Sequence, residues 1–130
     1  MRNPRKYGTA PFTVAVIHGG PGAPGEMAPV ARALSADWGV LEPLQTAPSL
    51  DGQVRELQTI LQNNGDLPVT VIGWSWGAWL GFILAARYPD LVKKLILIGS
   101  GPFEAKYAGN IMKTRLRRLS EAERAEVRSL

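Results

Sequence analysis

The residues best suited to chemistry are a serine and a glycine-rich segment, each directly after an apolar run. Ser75 stands within Gly-Trp-Ser-Trp-Gly at residues 73–77, and His-Gly-Gly-Pro-Gly occupies residues 18–22. A serine between glycines at a strand-to-helix turn is held in strained geometry with its hydroxyl exposed, as a nucleophile requires. A glycine-rich loop lets backbone N–H groups approach a substrate carbonyl. The two segments together predict attack on a carbonyl carbon.

The two segments contain the predicted nucleophile and the predicted oxyanion donors. We interpret Ser75 as the nucleophile, at the start of a helix whose dipole favours developing negative charge. The backbone N–H of Trp76 is the first predicted oxyanion donor. The N–H of Gly20 is the second, with that of its neighbour Gly19 left as an alternative. The competing interpretation is that Ser75 is an ordinary turn serine.

His18 is the only histidine of the chain and allows two interpretations. It could be the general base, or it could brace the loop through hydrogen bonds. The bracing role is favoured, because in a site with a serine nucleophile at a strand-to-helix turn the loop before the first helix supplies oxyanion donors and not the base. With Gly19, Pro21 and Gly22 it forms a predicted substrate-contacting loop. Glu104 is either a site acid or, the favoured interpretation, a surface residue at a helix start.

Hydrophobic periodicity predicts the elements that position these groups. Short β-branched or apolar runs predict strands at residues 13–17, 40–44, 69–74 and 94–98. Helical patterns lie between them at about 24–36, 51–63 and 78–88, and further helices at 104–119 and from Ser120, where Glu123 completes a capping box. This alternation predicts an α/β fold with a mostly parallel sheet and helices on both faces.

Composition excludes several classes of function. The chain has 130 residues, 45% hydrophobic and 20% charged, which is typical of a globular domain. It has no cysteine, which excludes disulfides, thiol catalysis and thiolate metal sites and fits a cytoplasmic location. We expect no cofactor and no metal.

The net charge of +4 arises largely from basic residues after residue 112. They could form a nucleic-acid or membrane patch, but interspersed glutamates and the lack of interleaved aromatic residues favour a solvated helix face. Residues 67–86 carry no charge and could be read as a membrane span. Pro68, Thr70 and the β-branched first half favour a strand there instead, so neither nucleic acid nor a membrane is expected as a partner.

The chain resembles the α/β-hydrolase superfamily over residues 12–103. Within it, His-Gly-Gly-Pro-Gly with Gly-x-Ser-Trp-Gly is similar to the proline iminopeptidase-like group. The resemblance implies an acyl-enzyme mechanism on a small ester or amide. It also divides the chain into the N-terminal part of the core, residues 1–103, and the beginning of a helical cap, residues 104–130. Residues 41–46, Leu-Glu-Pro-Leu-Gln-Thr, depart from the Asp-Gln-Arg-Gly loop usual in that group.

The acid and histidine that follow the serine in this superfamily have no counterpart in the sequence. We therefore expect the N-terminal half of a serine hydrolase, with both residues supplied from beyond residue 130 and little activity in this chain alone. The alternative is a non-catalytic fragment or interaction module that needs a partner chain. Residues 94–98 would then form an exposed sheet edge, open to self-association or to a complementing chain.

Overall fold

The computed structural model describes residues 2–20, 23–102 and 105–129. The chain divides into two compact units, residues 1–100 and 101–130. The second unit contains two helices, α4 (Ala105–Arg117) and α5 (Glu121–Arg128). The predicted capping box opens α5: the Ser120 N–H donates to Glu123 Oε2 at 2.9 Å, and the Glu123 N–H donates to Ser120 Oγ at 3.3 Å.

The first unit is built around one five-stranded sheet. Its elements in chain order are β1 (Arg5–Tyr7), β2 (Phe12–Ile17), α1 (Ala28–Leu34), β3 (Gly39–Glu42), α2 (Leu50–Asn64), β4 (Val69–Trp74), α3 (Trp76–Arg87), a 3-10 turn (Pro89–Leu91) and β5 (Val92–Ile98). The strand order is β1-β3-β2-β4-β5, and only β1 runs antiparallel to its neighbour. The predicted mostly parallel α/β sheet is confirmed.

The structure differs from the predicted elements by shifts of about two residues at several element ends, and three differences have a clear physical reason. No strand is predicted at the position of β1, because three residues are too few for a periodic pattern. The helix predicted from about residue 24 begins only at Ala28, after a turn that contains Gly25 at a φ of 88°. The strand predicted to reach residue 44 ends at Glu42, because Pro43 has no N–H to continue the ladder.

Helices cover both faces of the sheet, as predicted. On one face α1 packs over a small cluster: Val14, Val16, Met27, Ala31 and Val40. On the other face α2 and α3 pack over the larger core: Ala15, Ile17, Leu41, Val54, Leu57, Leu61, Val69, Val71, Leu80, Leu84 and Leu91. Alternate residues of β2 belong to opposite clusters, so this central strand is buried on both sides.

Strand β1 is held to the sheet by a buried carboxylate at the end of β3. Glu42 is fully buried, the Tyr7 hydroxyl donates to its Oε1 at 2.9 Å, and the Arg5 guanidinium lies 3.8 Å from the same oxygen. Burial raises the pKa of Tyr7, and the hydrogen bond to Glu42 and its negative charge raise it further. The phenol is therefore kept neutral, as a donor to this carboxylate must be.

The segment that could be read as a membrane span is divided between two elements. Residues 69–74 form β4 and residues 76–87 form α3, so Gly73 and Gly77 flank the turn between them and Gly81 lies within the helix. Across the described part of the chain, no helix has the length and apolar character needed to span a membrane.

Candidate active site

The two glycine-rich segments meet at the carboxyl edge of the parallel sheet. In the register of β2 with β4, Ile17 pairs with Gly73, so both strands end side by side and their following residues share this edge. A Cβ placed on Gly77 would meet the carbonyl oxygens of Ile17 and His18. The start of α3 therefore packs directly against the end of β2, which requires glycine at this position.

Ser75 occupies the strained turn that the motif predicts. Its φ of 53° is the one positive value among non-glycine residues in the described ranges, and its ψ is −115°. The turn is fixed from outside, because the Ser75 N–H donates to Ile98 O at 2.9 Å at the end of β5. A Cβ on Gly73 would meet backbone atoms of Gly77 and Ala78, so the turn closes on itself too tightly for any side chain there. The surrounding structure thus holds Ser75 in a conformation that it would not adopt alone.

The polar groups around the Ser75 side chain are open to a ligand. Ser75 is half-buried, and its hydroxyl makes no hydrogen bond within residues 2–20, 23–102 and 105–129. Trp76 is the first residue of α3, and the first N–H groups of a helix lack intrahelical acceptors. The Trp76 indole is fixed from behind, since its Nε1 donates to Gln53 Oε1 on α2 at 2.8 Å. The backbone N–H of Trp76, directly after Ser75, is therefore a donor whose direction is set by the first turn of α3.

The loop after β2 contains the two candidates for the second oxyanion donor, the N–H groups of Gly19 and Gly20, and one of them is available to a ligand. The Gly19 N–H is occupied, because it donates to Glu26 Oε2 at 2.9 Å. Gly20 is exposed at a φ of 126°, and its N–H has no partner in the portion of the chain that the structure describes. Of the two neighbours that the sequence left open, the geometry favours Gly20 as the donor.

His18 is enclosed by the loop that it belongs to. It is fully buried, and its Nε2 lies 3.1 Å from the Gln45 N–H, so this nitrogen must be the acceptor. Nδ1 then carries the hydrogen and donates to Gly19 O at 2.8 Å. Both ring nitrogens are engaged away from Ser75, which is the geometry of a bracing histidine rather than of a base.

The hydrogen bond from His18 also orients the neighbouring peptide group. The Gly19 carbonyl and the Gly20 N–H belong to one planar peptide unit, in which they point in opposite directions. Because His18 holds the Gly19 oxygen on the buried side, the Gly20 N–H is directed to the open side of the loop. Gln45 Nε2 adds a bond to His18 O at 2.7 Å and ties this loop to the segment after β3.

Three residues that the sequence did not single out organise this edge of the sheet. They are Glu26, Gln45 and Gln53, which join the segments after β2, β3 and β4. No spacing rule finds them, because their partners are distant in the chain; Glu26 and Trp74 are 48 residues apart. The predicted loop residues Pro21 and Gly22 and the candidate acid Glu104 lie outside the described residues.

Comparisons with known proteins agree with this architecture. Residues 42–124, more than half of the chain, match the model of the alpha/beta hydrolase fold family. Lipase LipV of Mycobacterium tuberculosis is 42% identical over 50 residues, which cover 38% of this chain and 19% of that protein.

Two solved structures share the fold. A putative lipase from Acinetobacter baumannii superposes with a TM-score of 0.71 at 21% identity, over 87% of this chain and 44% of that one. An epoxide hydrolase from Bacillus megaterium superposes with a TM-score of 0.69 at 20% identity, over 88% of this chain and 44% of that one. The chain thus spans less than half the length of both. By the extent of the family match and by its sheet, this chain belongs to the alpha/beta hydrolase fold family.

Proposed function

We propose that this chain carries the nucleophile and oxyanion hole of a serine hydrolase that acts on a small ester or amide. The observation that carries the proposal is the strained Ser75 turn beside two N–H groups without partners in the described structure, those of Trp76 and Gly20. Ser75 Oγ would attack the carbonyl carbon and lose its proton to a base, while the carbonyl oxygen becomes an oxyanion that the two N–H groups stabilise. Collapse of this intermediate expels the alcohol or amine and leaves an acyl-enzyme.

The base and acid of this reaction would come from outside these residues. The only histidine of the chain already uses both ring nitrogens within its loop. The similarity to LipV, a protein named as a lipase, supports an ester substrate. The motifs at residues 18–22 and 73–77, similar to those of the proline iminopeptidase-like group, favour an amide instead. We therefore propose that the leaving group is either an alcohol, from an ester, or an amine, from an amide.

Phenylboronic acid tests the nucleophile without needing the base. Its trigonal boron accepts an electron pair from a serine oxygen, a B–O bond forms, the hydroxyl proton passes to water, and the anionic tetrahedral adduct resembles the reaction intermediate. We expect the wild-type chain to convert the boron NMR signal from trigonal to tetrahedral in a saturable titration. The Ser75→Ala variant, which lacks the attacking oxygen, should give no saturable signal.

The matched control is Ser49→Ala, which removes a serine hydroxyl at the start of α2, where it accepts a hydrogen bond from the Gly52 N–H. This variant should bind the boronic acid as the wild type does. Equal binding by the wild type and by Ser75→Ala would contradict the proposed nucleophile.

A second role is favoured by the exposed edge of the sheet. In the described part of the chain β5 pairs only with β4, which leaves its other edge open. The end of β5 is apolar, and Ile96, Leu97 and Ile98 are 40%, 37% and 41% exposed. Open edges of this kind readily pair with another strand. We propose that a second copy of the chain covers this edge when no other segment does.

Light scattering after size-exclusion chromatography tests this association. We expect the wild-type chain to form dimers or larger species as its concentration rises. Ile96→Lys should shift the population toward monomers, because a charge at an apolar edge disfavours strand pairing. Val30→Lys is the matched control, since Val30 on α1 is 38% exposed but lies away from the edge. A wild-type chain that stays monomeric at high concentration contradicts the proposal.

A further inference from the structure

We infer that Glu26 is a positioning residue for the oxyanion hole, an assignment that rests on the function proposed above. Glu26 lies in the turn before α1, and its two carboxylate oxygens contact different parts of the site. Oε2 accepts the Gly19 N–H at 2.9 Å, and Oε1 accepts the Trp74 indole N–H at 2.9 Å. The carboxylate thereby joins the loop after β2 to the residue that precedes the nucleophile.

The bond to Gly19 acts on the donor next to it. The two peptide units that flank Gly19 are held at three points: Gln45 Nε2 binds His18 O, Glu26 binds the Gly19 N–H, and His18 Nδ1 binds Gly19 O. The next N–H along the chain is that of Gly20. Because each peptide unit is planar, fixing the groups of Gly19 fixes the direction of the Gly20 N–H. Without Glu26 the Gly19 N–H would lose its partner, and this restraint would weaken.

The bond to Trp74 acts on the other side of the site. The Trp74 ring lies between the loop and the end of β5: a Cβ on Gly19 would be 3.0 Å from Trp74 Cδ1, and a Cβ on Gly99 would be 2.8 Å from Trp74 Cζ3. The hydrogen bond to Glu26 selects this placement of the ring. Since Trp74 is 37% exposed, packing alone does not enclose it. One carboxylate therefore sets both the loop and the ring relative to Ser75.

The bridge that Glu26 forms between the Gly19 N–H and the Trp74 indole N–H requires a carboxylate. A carboxylate has an acceptor oxygen for each of the two N–H donors, whereas the amide of glutamine has one acceptor oxygen and a donor NH₂ group. Glu26→Gln therefore keeps the size of the side chain and loses one of the two bonds. Glu26 is itself exposed, so water can replace the lost contact and the fold should tolerate the change. A positioning role thus predicts weaker adduct binding without loss of the fold.

The test compares phenylboronic acid affinity with thermal stability in the full 130-residue chain. Removal of one oxyanion donor typically costs about 10²–10³-fold, and misalignment should cost less, so we expect Glu26→Gln to weaken adduct binding about tenfold. The melting temperature should stay within a few degrees of the wild type. Trp74→Phe keeps a ring and removes the N–H, and its effect should not add to that of Glu26→Gln, because both break the same bridge.

Two further measurements test whether weaker binding in Glu26→Gln arises from loss of the Glu26 hydrogen bonds. In the nitrogen–proton NMR spectrum of Glu26→Gln, the Gly19 amide signal or the Trp74 indole signal should shift, whichever N–H loses its acceptor, and that proton should exchange faster with solvent. Glu121→Gln removes an equal charge from the first turn of α5 and should change neither the affinity nor these signals.

The outcomes separate this inference from the function on which it rests. Ser75-dependent binding that is unchanged in Glu26→Gln overturns the positioning role and leaves the proposed function standing. Unchanged Gly19 and Trp74 signals in that variant also overturn it. An adduct that is absent from the wild type, or that persists in Ser75→Ala, overturns the proposed function and the positioning role together.

Discussion

Replacement of Gly77 by alanine is expected to abolish cooperative folding of the chain. The added Cβ would lie 2.5 Å from the carbonyl oxygen of His18 and closer still to that of Ile17. Both obstacles are backbone atoms, one at the end of the central strand β2 and one in the fully buried residue that follows it, so neither can move away cheaply. We expect a loss of about 4 kcal/mol or more, a large part of the stability of a domain of this size. Thermal unfolding followed by circular dichroism measures it.

Gly109→Ala is the matched control for this substitution. Among the described residues a Cβ on Gly109 meets nothing within 4 Å, and alanine favours a helix over glycine by about 1 kcal/mol, so this variant should be unchanged or slightly more stable. Gly81→Ala should fall between the two, since its Cβ would lie 3.2 Å from the side chains of Leu95 and Val71, which can adjust. A Gly77→Ala variant that melts like the wild type would contradict the close packing of α3 against β2.

The wild-type chain alone is expected to hydrolyse p-nitrophenyl acetate no faster than its Ser75→Ala variant. A serine hydroxyl needs a base to take its proton, and the one imidazole of the chain is engaged at both nitrogens. Removal of a triad member typically lowers turnover by about 10⁴–10⁶-fold, and the rate that remains comes from the oxyanion hole and substrate binding, which the Ser75→Ala variant keeps. Initial rates of p-nitrophenol release from the two proteins test the prediction.

His18→Asn distinguishes the two roles of the histidine if Ser75-dependent turnover is found. A Ser75-dependent rate that disappears in His18→Asn, while the melting temperature and the phenylboronic acid affinity stay as in the wild type, would make His18 the base and would contradict the bracing geometry. A Ser75-dependent rate that survives in His18→Asn would show that another group accepts the proton. Either result would overturn the expectation of an inactive chain.

The central parallel strands and the serine turn could be predicted from the sequence, because their signals are local. Val69–Trp74 is an apolar run that ends in the glycine-flanked turn, and the same short stretch sets the conformation of Ser75. The limits of α1 were less predictable, since the turn at Gly25 competes with the helical pattern. Strand β1 could not be predicted, because it depends on pairing with β3 and on the distant carboxylate of Glu42.

The supporting contacts of the candidate site depend on tertiary structure. The motif at residues 18–22 predicts Gly20 as the donor with Gly19 as the alternative, and the structure adds the bond from the Gly19 N–H to Glu26, which also favours Gly20. For His18 the sequence favoured a bracing role but did not show its partners, which are the Gln45 N–H at Nε2 and the Gly19 carbonyl at Nδ1. The supporting roles of Glu26, Gln45 and Gln53 could not be predicted, because the sheet brings their partners close from distant parts of the sequence and no spacing pattern results.

A crystal structure of the chain with phenylboronic acid bound tests the central claim most directly. The claim is that Ser75 is a nucleophile whose tetrahedral adduct is stabilised by the N–H groups of Trp76 and Gly20. We predict a covalent bond from Ser75 Oγ to boron, with one boronate oxygen about 2.7–3.1 Å from both nitrogens. Boron bound elsewhere, or an adduct whose oxygens turn away from both N–H groups, would contradict the claim.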